Sequence, residues 1–224
     1  MSETNKLCVV AGAGPGLGLA IARRFAAEGH DIALIARNGS ALETAAAALR
    51  QGGVRASGFA CDLTNAGDIA RTFDEIRVAL GDATVMVYNA ARWNQVPAMS
   101  IAPDEFAADL ALAITGGLAC AQQVYPRMRA AGCGSLLFTG GGLALAPQYG
   151  AGVTSLVAGK AGVRGFVYAL HAELAGQGIR VGTVTVAGIV APGTPFDPDQ
   201  IAQRFWELHS QSDGPVEIIH DGKP

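Results

Sequence analysis

The sequence lacks the usual marks of membrane proteins, nucleic-acid-binding proteins and metalloproteins. No apolar run approaches the ~20 residues that a membrane-spanning helix needs, so we expect no membrane partner. The formal net charge is −3, and the absence of a basic cluster argues against nucleic acid as a partner. The 4 cysteines and 4 histidines are dispersed without the spacing of metal ligands, so we expect no metal site.

An apolar leader and paired cysteines are also missing. The stretch 1–6 is polar and lacks the apolar core of a signal peptide. Two of the four cysteines lie in apolar, strand-like runs, which favours buried thiols in a reducing compartment. The four are Cys8, Cys61, Cys120 and Cys133. Together these observations predict a cytoplasmic protein.

What the sequence does contain is a high proportion of small and apolar residues. The chain has 224 residues, of which 50% are hydrophobic and 30 are glycine, whereas only 6% are aromatic. This length suits one α/β domain with a full core and is too short for two comfortable domains. The small residues favour helices that pack closely on a parallel sheet.

The most informative stretch is 7–37. The apolar run 7–11 predicts a buried strand, the glycine-rich segment 12–18 predicts a turn, and apolar residues at helical spacing then lead to a glycine stop at Gly29. A second buried run, 31–36, ends directly before Arg37. Strand, glycine turn, helix and strand in this order form the context in which a glycine motif indicates nucleotide binding.

The chemistry of the turn supports this interpretation. Glycines tolerate positive φ and let the backbone approach a ligand closely. The following helix directs unpaired N–H groups and the positive end of its dipole toward the turn, and both stabilise a pyrophosphate. A purely structural tight turn is the alternative. The residues expected to contact a dinucleotide here are Gly12, Gly14, Gly16, Leu17 and Gly18.

The glycine spacing resembles the fingerprint of the short-chain dehydrogenase/reductase family, Thr-Gly-x-x-x-Gly-x-Gly. Gly12, Gly16 and Gly18 occupy the glycine positions, and Ala11 replaces the usual threonine. The resemblance extends along nearly the whole chain. It implies an α/β protein with a single-domain Rossmann fold over 1–224, that is, a doubly wound parallel sheet of about seven strands flanked by helices.

Other positions match residues that contact the cofactor in this family. They are Asp62 and Leu63 at the adenine pocket, Asn89, and Gly188 and Ile189 beside the nicotinamide amide. Asn89 belongs to a partial match to the family motif Asn-Asn-Ala-Gly, since this chain keeps one asparagine and replaces the final glycine by Ala91. As an alternative, Asp62 or Thr64 caps the helix predicted over 66–80. Both roles are compatible for Asp62.

Arg37 indicates which dinucleotide is bound. An acidic residue at the end of this strand binds the ribose 2′-hydroxyl of NAD, whereas an arginine accommodates the 2′-phosphate of NADP. Arg37 lies between Ala36 and Asn38, so this strand end carries no carboxylate. The sequence therefore favours NADP(H) over NAD(H). A solvated arginine in a polar turn is the alternative.

The residues that carry the family's proton chemistry are largely absent. The family places Tyr-x-x-x-Lys on one face of a helix, where the lysine lowers the pKa of a phenol that exchanges a proton with the substrate oxygen. Here Lys160 occupies the lysine position and Leu156 the tyrosine position. Glycines 140–142 replace the catalytic serine, and Ala113 replaces an asparagine that supports the proton relay.

Lys160 is the first catalytic candidate, and the resemblance also implies that it bridges the nicotinamide ribose hydroxyls. A lysine without a role on a helix surface is the alternative. Tyr149 is the second candidate, because it lies in a preceding loop whose glycines would let it swing inward. Thr139 and Ser155 offer other hydroxyls, whereas Tyr168 lies two turns beyond Lys160 and is expected to pack.

The rest of the chain predicts the remaining layers of the fold. Ser40 is expected to cap a helix over 41–51, and two long helices are predicted over 103–131 and 153–175. Family members commonly assemble through these two helices, so the resemblance implies a homodimer or homotetramer. Small residues such as Gly162 and Gly165 would allow close helix contact. The region near 190–212, where substrate-covering helices usually lie, is short.

Two functions are consistent with these observations. The first is an NADP(H)-binding oxidoreductase that acts on a small-molecule carbonyl or alcohol and has an atypical active site. Its proton would come from a water held by Lys160 or from Tyr149. The second is a catalytically inactive NADP(H)-binding sensor or partner subunit, which the intact glycine turn beside vacated catalytic positions motivates.

Overall fold

The computed structural model describes residues 6–211 and 213–223, and over these ranges seven strands form one parallel sheet. The strands are β1 (Leu7–Ala11), β2 (Asp31–Ala36), β3 (Ala56–Ala60), β4 (Val85–Tyr88), β5 (Gly134–Gly141), β6 (Ile179–Val186) and β7 (Glu217–His220). They are ordered β3-β2-β1-β4-β5-β6-β7. The direction of winding reverses between β1 and β4, so ligands are expected in the crevice at the carboxyl ends of these strands.

Helices cover both faces of the sheet. They are α1 (Leu17–Ala27), α2 (Gly39–Gln51), α3 (Ala66–Leu80), α4 (Pro103–Leu110), α5 (Gly116–Ala131), α6 (Thr154–Glu173) and α7 (Pro198–Ser210). A π-helix, Ala111–Thr115, joins α4 to α5, and the short 3₁₀ helices Gly142–Ala144 and Pro147–Gly150 precede α6. The predicted doubly wound α/β fold is confirmed.

The core has one layer on each side of the sheet. Along β1, Leu7 and Val9 pack on the side of α3 and α5, whereas Cys8 and Val10 pack on the side of α1 and α2. All four side chains are fully buried. Successive strand residues face opposite sides, so a strand covered on both faces reads as a continuous apolar run. This is why the sequence reveals the strands.

Two predicted helix caps are wrong by a few residues. α2 begins at Gly39, so Asn38 caps it and accepts a hydrogen bond from the Ala41 N–H at 3.2 Å. Ser40 lies inside the first turn and donates its hydroxyl to Asn38. α3 is capped by Asn65, which accepts from the Asp68 N–H at 3.0 Å. Neither Asp62 nor Thr64 caps this helix.

The helix predicted over 103–131 is interrupted by the π-helix. The Tyr88 hydroxyl donates a hydrogen bond to the Leu112 carbonyl oxygen, which lies within the π-helix. A Cβ atom at Gly116 would collide with the Tyr88 hydroxyl and with the Leu63 carbonyl oxygen, so only glycine fits there. The π-helix lies against α6, where a Cβ at Gly159 would be 2.8 Å from the Ala113 Cβ.

Three smaller features of the structure concern α7, Gly162 and the cysteines. α7, within the predicted substrate region near 190–212, packs on α1, and its Phe205 is fully buried in the core. Gly162 packs against Ile114 of the same chain, so it allows close contact within the protein. Cys133 is exposed, in contrast to the other three cysteines, which are buried. None of the described helices is both long and apolar enough to span a membrane.

Candidate functional site

A cavity of about 400 Å³ opens at the carboxyl ends of β1, β2 and β4. Nine of the residues predicted from the sequence to bind a cofactor line it. They are Gly12, Gly14, Gly16, Leu17, Gly18, Arg37, Asp62, Leu63 and Asn89. The structure therefore brings together the glycine turn and the predicted adenine pocket in one site.

The glycines of the turn have distinct structural roles. Gly12 has φ +93°, and a Cβ there would lie 2.6 Å from the Ala90 backbone nitrogen. A Cβ at Gly18 would overlap the Gly12 carbonyl oxygen, so this glycine lets α1 pack closely on the turn. No described atom lies within 4 Å of a Cβ built at Gly14 or Gly16. These two positions leave open space at the N-terminus of α1, as a pyrophosphate requires.

Asn89 connects the turn to the centre of the sheet. Its amide nitrogen donates to the Gly12 carbonyl oxygen at 2.9 Å, and its amide oxygen accepts from the Thr139 hydroxyl at 2.9 Å. Thr139 is therefore committed to Asn89 and is not a free hydroxyl. Sequence reasoning placed Asn89 at the cofactor but did not predict this link across β1, β4 and β5.

The adenine end of the cavity carries one cation and one carboxylate. Asp62 accepts hydrogen bonds from the Thr64 N–H at 2.9 Å and from the Thr64 hydroxyl at 2.7 Å. These bonds, aided by the charge of Arg37, lower the pKa of Asp62. Arg37 is exposed at the end of β2. Arg37 thus lies at the strand end where the sequence analysis expects a cation beside the ribose of the nucleotide.

A second cavity, of about 700 Å³, continues from the first toward α6. Leu17 and Asn89 line both cavities, so the two meet at these residues. Four further predicted site residues line the second cavity. They are Tyr149, Lys160, Gly188 and Ile189. The arrangement provides a path from the adenine pocket to Lys160.

Lys160 is partly buried at the inner end of this path. Its Nζ donates a hydrogen bond to the Thr139 carbonyl oxygen at 2.8 Å, and no described carboxylate forms an ion pair with it. Burial lowers the pKa of Lys160 to about 8. A lysine with this pKa exchanges protons readily near neutral pH.

The glycines at the expected serine position are packed against other atoms. A Cβ at Gly141 would be 3.0 Å from the Lys160 Cγ, because the lysine stem lies directly over this residue. A Cβ at Gly140 would overlap the Thr185 hydroxyl, and one at Gly142 would lie 2.7 Å from the Ala187 Cα. The packing therefore favours glycine at each of the three positions, whichever is aligned with the serine.

The other hydroxyl candidates differ in their availability. Tyr149 lies in a 3₁₀ helix at the cavity rim, and 81% of its surface is exposed. Ser155 is buried and donates to Asp109 at 2.8 Å, so it is not a free hydroxyl. Tyr168 donates to Glu217 at 3.0 Å and stacks beneath Arg164, which agrees with the packing role expected for it.

The loop after β4 contributes residues that the sequence analysis did not single out. Arg92 lines the first cavity and Trp93 the second. Buried Asp109 accepts hydrogen bonds from Arg92 and Asn94, both at 2.9 Å. A polar and aromatic run directly after a buried strand was the available signal, because such residues fall at the carboxyl edge of the sheet. Over the described ranges, no group of three or more metal-ligating side chains is found.

Comparison with known proteins identifies the lineage. A family model described as short chain dehydrogenase matches residues 6–200. The chain belongs to the short-chain dehydrogenase/reductase family. This agrees with the glycine turn and with the position of Lys160 four residues after Leu156 on α6.

Individual family members illustrate the likeness. The chain is 32% identical over 185 residues to D-threitol dehydrogenase of Mycolicibacterium smegmatis, covering 81% of this chain and 69% of that protein. It is 32% identical over 213 residues to human 3-oxoacyl-[acyl-carrier-protein] reductase, covering 95% and 84%. The crystal structure of a metagenomic short-chain oxidoreductase in complex with NADP is 26% identical, covers 98% of both chains and has a TM-score of 0.87.

Proposed function

We propose that this short-chain dehydrogenase/reductase is an NADP(H)-dependent oxidoreductase that interconverts a small-molecule carbonyl and its alcohol in an atypical active site. The observation that carries the proposal is the path formed by two adjoining cavities, which run from the glycine turn to Lys160 and share Leu17 and Asn89 as lining residues. The NADP-bound metagenomic relative supports the choice of cofactor.

Each part of the path has a function in this proposal. The open space at Gly14 and Gly16 admits the pyrophosphate, Arg37 pairs with the 2′-phosphate, and Lys160 holds the nicotinamide ribose hydroxyls. The backbone of Gly188 and Ile189, which line the second cavity, would hold the nicotinamide amide. When bound, NADP(H) supplies or accepts the hydride. The chain's own residues bind and orient both reactants and handle the proton.

The proton is the unusual part of the site. Leu156 cannot donate one, and the glycines 140–142 offer no hydroxyl. A water held by Lys160 is one source, since the lowered pKa of this lysine lets it relay a proton near neutral pH. Tyr149 is the other source, because it lines the same cavity and is exposed at its rim.

The second candidate function is an NADP(H)-binding sensor or partner subunit without turnover. The combination of an intact glycine turn with Leu156 and the packed glycines 140–142 favours it. Both functions require the same cofactor site. They differ only in what Lys160 and its neighbours do after binding.

One experiment separates these functions. The purified protein is titrated with NADPH and with NADH by fluorescence, and NADPH oxidation is then followed over a panel of carbonyl compounds. We expect NADPH to bind more tightly than NADH, and Arg37→Ala to remove this preference while leaving NADH binding unchanged. Reproducible turnover supports the enzyme, and binding without turnover supports the sensor. Binding of neither nucleotide would contradict both functions.

We also propose that the protein is a cytoplasmic homodimer or homotetramer that assembles through the two long helical regions over 103–131 and 153–175, the second of which contains α6. Ala161 and Gly165 are exposed on this helix, and no described atom lies within 4 Å of a Cβ built at Gly165. Small exposed residues allow close helix contact. Sedimentation analysis of the parent and of Gly165→Gln tests this proposal, because the longer side chain is expected to shift the population toward monomers.

A further inference from the structure

The cavity beyond Lys160 is apolar on nearly all sides. Its walls include the exposed side chains of Trp93, Leu145, Ile189 and Val190. Among the described residues that line it, Lys160 is the only charged one. A substrate bound here is therefore in contact mainly with hydrocarbon, and a charged substrate has no counter-ion other than this lysine.

Two of the polar side chains that line the cavity, Asn89 and Thr139, are already hydrogen-bonded. This leaves Tyr149 and Lys160 as the polar side chains open to a substrate. Asn89 uses its amide nitrogen for Gly12 and its amide oxygen for Thr139. Thr139 uses its hydroxyl for Asn89 and its carbonyl oxygen for Lys160. A substrate with many hydroxyl groups would lose more hydrogen bonds to water than Tyr149 and Lys160 can replace, and this loss disfavours polyols and sugars.

Trp93 is the largest of the exposed wall residues, and its backbone is held from both sides. The preceding Arg92 and the following Asn94 both donate to Asp109, whose carboxylate is buried. Ser155, adjacent to Leu156 on α6, donates to the same carboxylate. This group of four residues, the Asp109 clamp, fixes the loop that carries Trp93 against the start of α6. The indole is nevertheless 64% exposed, so its surface is available to a ligand.

We propose that the second cavity takes an uncharged carbonyl compound with a flat apolar ring, and that Trp93 is the wall on which the ring packs, positioned by the Asp109 clamp. This inference rests on the proposed function for its reaction but not for its binding step. The ring lies against the indole, where aromatic pairs gain stability beyond their buried area. The carbonyl oxygen then points toward Lys160, which lies at the inner end of the cavity and can donate a proton.

NADPH, the cofactor proposed above, supplies the two electrons that reduction of such a substrate requires. In reduction, the carbonyl carbon gains a hydride from NADPH and the oxygen gains a proton from Lys160, directly or through water. The products are the secondary alcohol and NADP⁺, and solvent returns the proton to the lysine. The apolar walls contribute by excluding water and by orienting the ring.

Kinetics with three ketones test the substrate class. The compounds are 2-acetylnaphthalene, which is uncharged and flat, erythrulose, which is uncharged and rich in hydroxyls, and acetoacetate, which is anionic. We expect kcat/KM to be highest for 2-acetylnaphthalene. Trp93→Ala is expected to raise its KM about tenfold, whereas Trp93→Phe, the matched control that keeps a ring, stays within about threefold of the parent. A preference for erythrulose or acetoacetate would overturn the proposal.

A binding measurement keeps the test independent of turnover. In the Trp206→Phe variant, Trp93 is the only tryptophan left in the chain. Titration with 2-acetylnaphthalene is expected to quench its fluorescence, with or without NADPH. Quenching without turnover would leave the substrate class intact and remove the enzymatic function. Turnover of erythrulose without quenching by 2-acetylnaphthalene would support the enzymatic function and overturn the proposed substrate class.

The clamp is tested by removing one of its contacts. Asp109→Ala would leave several groups unpaired and is expected to fold poorly, so Asn94→Ala is the informative variant. We expect it to lower the fluorescence anisotropy of Trp93 and to raise the KM for 2-acetylnaphthalene about threefold with kcat unchanged, because the two hydrogen bonds that the Asn94 amide donates, to Asp109 and to Glu105, are lost. Unchanged anisotropy and KM in a folded variant would show that the clamp does not position Trp93.

Discussion

Replacing Leu156 by tyrosine is expected to create a proton donor in this site. Leu156 and Lys160 both line the second cavity, and they lie four residues apart on α6, so their side chains share one helix face. The separation along the helix axis is about 6 Å, which a tyrosine and a lysine side chain readily bridge. In Leu156→Tyr, the positive charge of Lys160 would lower the pKa of the new phenol.

The size of the effect follows from the neighbouring groups. A positioned general acid contributes ~10²–10⁴-fold to rate. We expect the lower end, about 10²-fold, because the hydroxyl of Thr139 is committed to Asn89 and no serine polarises the carbonyl. This corresponds to about 2.7 kcal/mol of activation free energy.

The assay follows NADPH oxidation with saturating 2-acetylnaphthalene at neutral pH. Leu156→Phe is the matched control, because it adds the same ring without the hydroxyl. NADPH binding by all three proteins, measured by fluorescence, separates effects on chemistry from effects on the cofactor site. If Leu156→Tyr turns over no faster than Leu156→Phe while both bind NADPH like the parent, the argument from helix spacing is wrong.

Three further predictions concern stability. Gly18→Ala is expected to lower the unfolding free energy by about 1–3 kcal/mol, because its Cβ would overlap the turn, whereas Gly14→Ala, with no described atom nearby, should match the parent in urea denaturation. Glu217→Gln should lower the unfolding free energy by about 2 kcal/mol in the same assay, since the Arg164 cation loses its ion pair with a carboxylate that is only 4% exposed. Burial lowers the pKa of His209 to about 4, so the unfolded chain binds a proton that the folded chain does not. Stability should therefore fall as the pH drops from about 6.5 to about 4, and a His209→Asn variant with an unchanged slope would contradict this.

The sequence predicted those parts of the molecule that depend on neighbouring residues along the chain. Continuous apolar runs revealed the strands because both faces of a parallel sheet are buried. The glycine turn was recognised because a strand and a helix adjoin it, and Lys160 because its flanks match a family pattern. The structure assembles these residues into one site, as the positions in the sequence indicated.

The features that sequence reasoning missed depend on contacts between distant segments. In the Asp109 clamp, Ser155 contacts Asp109, which lies 46 positions earlier, and no local sequence pattern predicts such a pair. The π-helix contacts Tyr88 of β4 through Leu112, and helical periodicity does not reveal this contact. The α2 cap was displaced because Asn38 and Ser40 are both good capping residues, and only the observed start of the helix distinguishes them.

The packing of Thr185, Lys160 and Ala187 against the glycines 140–142 restricts how this site can change over evolutionary time. A tyrosine at position 156 faces an open cavity, so a single substitution can introduce it. A Cβ at position 140 or 142 would overlap Thr185 or Ala187, so a serine there needs a compensating shift, whereas at position 141 the Lys160 stem would have to move by only a few tenths of an ångström. The two losses are thus unequal in reversibility. Regaining the serine therefore requires more adjustment of the neighbouring residues than regaining the tyrosine. We expect a lineage that recovers proton transfer to the substrate to change position 156 first.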